Sequence, residues 1–290
     1  MKPCPPPDPQ PKRPGKLTLP DGACDTHGHI FGPAERYPWN PARGYTPPNA
    51  LPAAYEALHA TLGVSRGVLT QPSVYGTDNR CMLDYVARRL DRMRAVVAVG
   101  PGIEDKALHA MHDEGARGIR VNLADPGGNP FASFAEIEQL GQRLKPMGWH
   151  IELLLHVHQI DDIVDDIRRL PVDISVGHLG YMPAAMGVDH PTYAKFLDLV
   201  AEGRCWVKLT APYRITALKQ TPYADIAPFA RALVKRRPDR ILWGTDWPHP
   251  ICPVPMPNDG DLTDHLADWI PDEVVRGLVL VDNPARLFGF

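Results

Sequence analysis

Ala23-Cys24-Asp25-Thr26-His27-Gly28-His29-Ile30 and, far downstream, Trp243-Gly244-Thr245-Asp246-Trp247-Pro248-His249-Pro250 decide how this chain is read. Each is a short strand-like run ending in side chains that bind metals or move protons. Alternate residues of a strand share a face, so His27 and His29 project together while Gly28 faces away. Two imidazoles ending an early strand and a carboxylate, Asp246, ending a late one fit a closed parallel barrel. In such a barrel the first and last strands are neighbours, and the C-terminal strand ends form the working face.

The rest of the chain keeps that beat. Apolar strand-like runs cover 23–30, 67–71, 95–99, 118–123, 151–156, 172–178, 205–209 and 240–245. They are mostly apolar on both faces, as strands of a fully covered parallel sheet are. Helical spacing fills 51–62, 79–90, 104–114, 134–144, 160–170, 193–201, 223–235 and 272–280. This alternation predicts an α/β chain folded as a (β/α)8 TIM barrel, a single domain over 21–290. A doubly wound open sheet is the structural alternative; the lack of a Gly-x-Gly-x-x-Gly after the first strand counts against it. Residues 1–20, with six prolines before Lys12, read as a Pro-rich tail, disordered or loosely docked. Pro and Gly gather in loops 32–48 and 124–130, where a barrel places its substrate-binding segments.

Bulk properties narrow the function. The 290 residues suit one α/β barrel, and 44% hydrophobic residues supply its core. A net charge of −3 argues against nucleic-acid binding, which needs a basic face. No apolar run approaches the roughly 20 residues of a membrane span. Five scattered cysteines without a Cys-x-x-Cys pair read as reduced thiols of a cytoplasmic enzyme, with Cys24 and Cys205 as small core residues.

Candidate site residues recur at predicted strand ends. His27 and His29 end the first run, His156 the fifth, with His158 two residues on, and His178 the sixth. Neutral imidazole is a ligand for Zn²⁺ and a carrier of protons. Asp246 closes the eighth run, where a buried carboxylate is costly unless a metal, cation or donor meets it. His249, beyond Pro248, reads as a loop residue, with a supporting place behind the site as the alternative. Arg120 and Arg214 lie at the ends of strands four and seven, where a guanidinium suits bidentate capture of a carboxylate or sulfonate. Tyr45 in the long first loop and Ser73 after strand two complete the substrate contacts.

Six motifs in order resemble the amidohydrolase superfamily, and within it the amidohydrolase-2 branch that contains 2-pyrone-4,6-dicarboxylate lactonase and sugar lactonases. They are Asp25-Thr26-His27-Gly28-His29-Ile30-Phe31-Gly32-Pro33, Tyr75-Gly76-Thr77-Asp78-Asn79, Gly115-Ala116-Arg117-Gly118-Ile119-Arg120, His178-Leu179-Gly180, the stretch 243–250, and Asp282-Asn283-Pro284-Ala285-Arg286-Leu287. The resemblance implies hydrolysis of a lactone, with His27, His29, His178 and Asp246 catalytic and Tyr45, Ser73, Arg120 and Arg214 binding substrate. Two arginines of the pyrone lactonase are replaced here by Asp125-Pro126-Gly127-Gly128-Asn129 and by Tyr181, itself placed among the substrate contacts. That loss points to a small carboxylated or sulfonated lactone with fewer anionic groups, of aromatic or sugar-acid catabolism.

The resemblance to the pyrone lactonase implies chemistry without a metal. His156, at a position where metal-binding relatives keep a ligand, implies the opposite: one divalent ion, Zn²⁺, on His27, His29, His156 and Asp246. The expected partner is a small-molecule lactone or carboxylic acid, with neither nucleic acid nor membrane; a homodimer stays open. A decarboxylase of the same superfamily and a non-catalytic barrel binding a small acid are the rival readings.

Overall fold

A computed structural model describes residues 3–124, 129–159 and 164–290. Eight parallel strands run in sequence order: β1 (Cys24–Gly28), β2 (Arg66–Thr70), β3 (Met93–Val97), β4 (Ala116–Asn122), β5 (His150–Leu154), β6 (Ile174–Val176), β7 (Cys205–Leu209) and β8 (Ile241–Trp243). Every residue of β1, β3 and β5 through β8 is buried, which explains why these runs are mostly apolar on both faces, with the polar residues of β1, β5 and β7 buried among them. The ladder stops between β8 and β1, yet the cylinder closes there. Thr26 Oγ1 donates to Trp243 O at 2.8 Å, Asp246 N to His27 O at 2.7 Å and His29 N to Trp247 O at 2.7 Å. The two decisive stretches are thus bonded side by side.

Helices cover the outside: α1 (Pro52–Leu62), α2 (Arg80–Val86), α3 (Asp105–Asp113), α4 (Phe134–Leu144), α5 (Val164–Arg169), α6 (Pro191–Ala201) and α7 (Ala227–Arg236). The start of the helix expected at 160–170, and most of the loop 125–129, lie outside the described residues. After β8 the single expected helix is replaced by short pieces: α8 (Asp259–Thr263), α9 (His265–Trp269), α10 (Glu273–Gly277) with a π-helical turn over Leu278–Asp282, and α11 (Asn283–Phe288). The last of these closes the N-terminal end of the barrel. Its Phe288 packs among Cys24, Val68, Val96, Trp206 and Leu242, all pointing into the cylinder.

The Pro-rich tail is not loose in the structure. Its backbone groups are taken up by side chains: Asn258 accepts from Lys12 N (3.0 Å) and donates to Gln10 O (3.0 Å), while Asp264 accepts from Gly15 N (2.9 Å) and Lys16 N (2.8 Å). A segment poor in apolar side chains docks through such bonds, which hydropathy does not register.

Candidate active site

The site begins with a change of phase in β1. The pairing of β1 with β2 slips between Asp25 and Gly28, a bulge that reverses which residues point inward. Asp25 therefore faces α1, while His27 and His29 face the barrel axis. Gly28 faces outward between them, where a Cβ would come within 2.7 Å of the Tyr55 hydroxyl, so the close approach of β1 to α1 needs glycine. Asp25 is fully buried and accepts from Thr245 Oγ1 (2.7 Å), Thr245 N (2.9 Å), Tyr55 OH (3.0 Å) and His27 N (3.1 Å), with His59 Nε2 at 3.2 Å. One carboxylate thereby ties β1, α1 and the turn after β8 together.

Asp246 stands at the centre of the C-terminal face with φ +59°, and His178 after β6 has φ +53°. Left-handed backbone at a non-glycine residue costs about 1–3 kcal/mol and is found mostly where it aims a functional side chain. Here it brings three imidazoles round one carboxylate oxygen. Asp246 Oδ1 lies 3.4 Å from His29 Nε2, 3.5 Å from His27 Nε2 and 3.9 Å from His178 Nε2. Burial alone would raise the Asp246 carboxyl, but His178, Arg214 and His29 outweigh it and hold the group well below its ordinary value, as the carboxylate. Burial also drives His27 and His178 well below the usual imidazole range, helped by Lys208 at the first and Arg214 at the second, so both are neutral.

Neutral imidazoles have tautomers, and the surroundings assign them. His29 Nδ1 faces the Thr70 carbonyl at 2.7 Å, which only accepts, so Nδ1 carries a proton and Nε2 is the atom turned to the cluster. At His178, Thr210 Oγ1 accepts from the backbone N–H (3.2 Å) and meets Nδ1 at 2.7 Å; when the hydroxyl donates there, Nε2 carries the proton and can donate into the cleft. His27 Nδ1 lies between Lys208 Nζ (3.3 Å) and Glu152 Oε1 (3.6 Å). A proton shared with Glu152 frees Nε2 as a ligand, whereas acceptance from Lys208 makes Nε2 a donor.

A metal fits this set. His27 Nε2 and Asp246 Oδ1 are buried and have no hydrogen-bond partner among the described residues, and His29 Nε2 faces the same carboxylate oxygen at 3.4 Å. Ligand atoms of His27, His29 and Asp246 all lie within 4.8 Å of one another. His156 does not join them, against the expectation of a four-residue set. The ladder ends at Leu154, and the chain turns into a 3-10 helix over Val157–Gln159. The His156 ring is left half-buried beyond the strand, its centroid 5.0 Å from that of Tyr181 and 5.4 Å from that of His158.

The substrate contacts expected from the sequence do gather. A narrow cleft above Asp246 is lined by His29, His178, Tyr45, Ser73, Arg120, Tyr181 and Arg214. It opens into a cavity of about 490 Å³ that shares Tyr45, Ser73 and Arg120 and adds Arg43 at its rim. Arg120 is held by Gln71 O (3.1 Å) and lies 3.9 Å from Glu152; Arg214 donates to the Tyr181 hydroxyl (2.9 Å), with Nε 3.5 Å from Asp246 Oδ2. Tyr45 meets Ser73 and sits near both guanidiniums. Burial pushes the Cys24 and Cys205 thiols far up, as expected of core residues.

Sequence reasoning missed four buried charges or polar groups next to the site. Lys208 donates to Glu152 and to Thr26 O (2.8 Å) beneath His27. Tyr213 donates to Asp246, and His249, expected to be a loop residue, is fully buried against Tyr213. The available signal was a charge inside an apolar strand: Glu152 between Ile151 and Leu153, and Lys208 between Val207 and Leu209. Burying an ion without a partner is too costly to be incidental.

A parallel barrel with buried histidines and an aspartate converging at its C-terminal face defines a hydrolytic type of (β/α)8 site. The chain belongs to the amidohydrolase family, whose model matches residues 24–290. It is 37% identical to 4-sulfomuconolactone hydrolase of Hydrogenophaga intermedia over 95% of this chain and 91% of that protein. It is 36% identical to 2-pyrone-4,6-dicarboxylate hydrolase of Comamonas testosteroni over 94% of this chain and 92% of that protein. A ligand-free crystal structure from Agrobacterium tumefaciens superposes with a TM-score of 0.84 at 29% identity, covering 94% of this chain and 97% of that one. Among the described residues, no helix is long and apolar enough to cross a membrane.

Proposed function

We propose that this protein hydrolyses a small lactone bearing a carboxylate or sulfonate. The observation that carries the reading is Asp246 Oδ1, a buried carboxylate oxygen ringed by three imidazole Nε2 atoms at 3.4–3.9 Å below a cleft lined by two arginines. Arg120 and Arg214 pair with the anionic group and set the carbonyl over the cluster, helped by Tyr45 and Ser73. Asp246 takes a proton from water as the oxygen attacks the carbonyl carbon. His178, protonated at Nε2, donates to the oxyanion of the tetrahedral species. As that species collapses, Asp246 returns the proton to the departing ring oxygen, and the product is a hydroxy acid.

His27, His29 and Asp246 would hold one divalent ion, and two nitrogens with one oxygen suit Zn²⁺. When bound, it would polarise the carbonyl and acidify the attacking water. The similarity to two lactone hydrolases supports the reaction class. The five unpaired cysteines support a cytoplasmic setting.

The test is a screen of the purified protein against sulfonated, carboxylated and neutral lactones, with elemental analysis of the same sample. Ring opening of an anionic lactone, lost on substitution of Asp246, is expected. Release of CO₂ from a carboxylic acid, or binding without turnover of any lactone, would overturn the reading in favour of a decarboxylase or a binding barrel.

A further inference from the structure

Behind Asp246 runs a line of buried polar groups that no step above uses. Asp246 Oδ2, turned away from the imidazoles, accepts from the Tyr213 hydroxyl. His249 Nδ1 lies 3.2 Å from that hydroxyl, and His249 Nε2 lies 3.1 Å from Asp259 Oδ1. All four residues are at most 1% exposed. The far end is anchored, since Asp259 opens α8, whose first turn is capped by Asn258, the residue that also binds the N-terminal tail.

The directions of these contacts are dictated by chemistry. A carboxylate only accepts, so the phenol donates to Asp246 and its oxygen is free to accept. The proton between Tyr213 and His249 therefore belongs to Nδ1. Nε2, at the other end of the ring, faces Asp259 Oδ1.

We propose that Asp259 and His249 are positioning residues that act through Tyr213 to hold Asp246 in its reactive orientation. His249 donates from Nδ1 to the phenol oxygen, and the phenol in turn grips Oδ2 and stops the carboxylate from rotating. Oδ1 is thereby left facing His27, His29 and His178. Neither Tyr213, His249 nor Asp259 lines the cleft or the cavity above it. Their loss therefore acts on turnover and leaves substrate binding alone. The proposal rests on Asp246 being the proton carrier of lactone hydrolysis.

The experiment compares Tyr213→Phe, His249→Asn, Asp259→Asn and the Tyr213→Phe/His249→Asn double variant on a lactone the wild type opens. Each single change should lower kcat by about 10- to 100-fold, the usual cost of losing a supporting partner, with KM within about threefold of wild type. The double variant should be no slower than the worse single one, because both break the same line. Nitrogen-15 NMR of the wild type should show His249 Nδ1 protonated and hydrogen-bonded, and Tyr213→Phe should shift its resonance. A kcat for His249→Asn within about twofold of wild type, losses that multiply in the double variant, or a His249 Nδ1 without a proton would each overturn the proposal. If His249→Asn does not fold, Tyr213→Phe, which deletes one oxygen, carries the kinetic test. The NMR readout needs no substrate, so it stands even if Asp246→Asn retains activity and the lactonase mechanism falls.

Discussion

At the scale of the residue, function rests on which atom of each side chain faces the cluster. Asp246→Asn keeps the shape of the carboxylate but can neither take nor return a proton. Turnover should fall by about 10²- to 10⁴-fold with the fold unchanged by circular dichroism. Turnover within a few-fold of wild type would remove Asp246 from the reaction. Arg120 and Arg214 are ion-holding groups beside the cleft, so Arg120→Met and Arg214→Met should chiefly raise KM for an anionic lactone. One charge-assisted contact contributes about 1.5–3 kcal/mol, so each KM should rise by about 10- to 150-fold. Normal KM values on anionic lactones would contradict the assignment. The His-x-His pair and the lone aspartate were legible in the sequence because their spacing and their place after apolar runs carry the information. The tautomers were not, because Thr70, Thr210, Glu152 and Lys208 meet those rings only after the strands close.

At the scale of the element, β1 shows how local pattern and tertiary pairing divide the work. Alternation alone would put Asp25, His27 and His29 on one face; the slip in pairing turns Asp25 to the other side. Asp25→Ala should strand the Tyr55 and Thr245 donors at a cost of about 1–3 kcal/mol each, measurable by urea unfolding. Burial works to raise the Asp25 carboxyl, but its bonds with His59 and Thr245 prevail and hold it below its ordinary value of 3.8. A carboxyl depressed in the folded state contributes stability above the unfolded value and loses it as pH falls below that value. Wild-type stability should therefore drop as pH is lowered from about 5 through 3.8 and below, and Asp25→Asn should flatten that part of the profile. An identical acid profile in the variant would exclude Asp25 as its source. At β5 the sequence misled for a related reason: the apolar run continues to Leu155, but the ladder ends at Leu154, so His156 falls beyond the strand. The helices after β8 escaped notice because α8 and α9 are only 5 residues each, too short for a period to register.

At the scale of the whole molecule, the barrel separates what holds it together from what reacts. Chemistry occupies the C-terminal ends of the strands, the Glu152–Lys208 ion pair fills the middle, and α11 plugs the opposite end. The strand count and the closure were legible, since eight covered apolar runs allow few arrangements. The plug was not, because Phe288 looks like any apolar residue of a C-terminal segment until its neighbours are known. It is fully buried, with the His150 ring 5.2 Å away edge-on and Lys208 Nζ 5.7 Å from its centroid. Removing the ring would open a void beneath a buried ion pair that cannot follow it down, and collapse of the rigid strands around it is limited. Phe288→Ala should therefore cost about 3–5 kcal/mol in urea unfolding. Because Phe288 touches no residue of the cleft, the folded variant should retain kcat and KM within a few-fold when assayed well below its melting point. A loss below about 1 kcal/mol would mean that the barrel closes without its plug. A large loss of kcat in a sample shown to be folded would mean that the Glu152–Lys208 layer transmits the state of the barrel floor to His27.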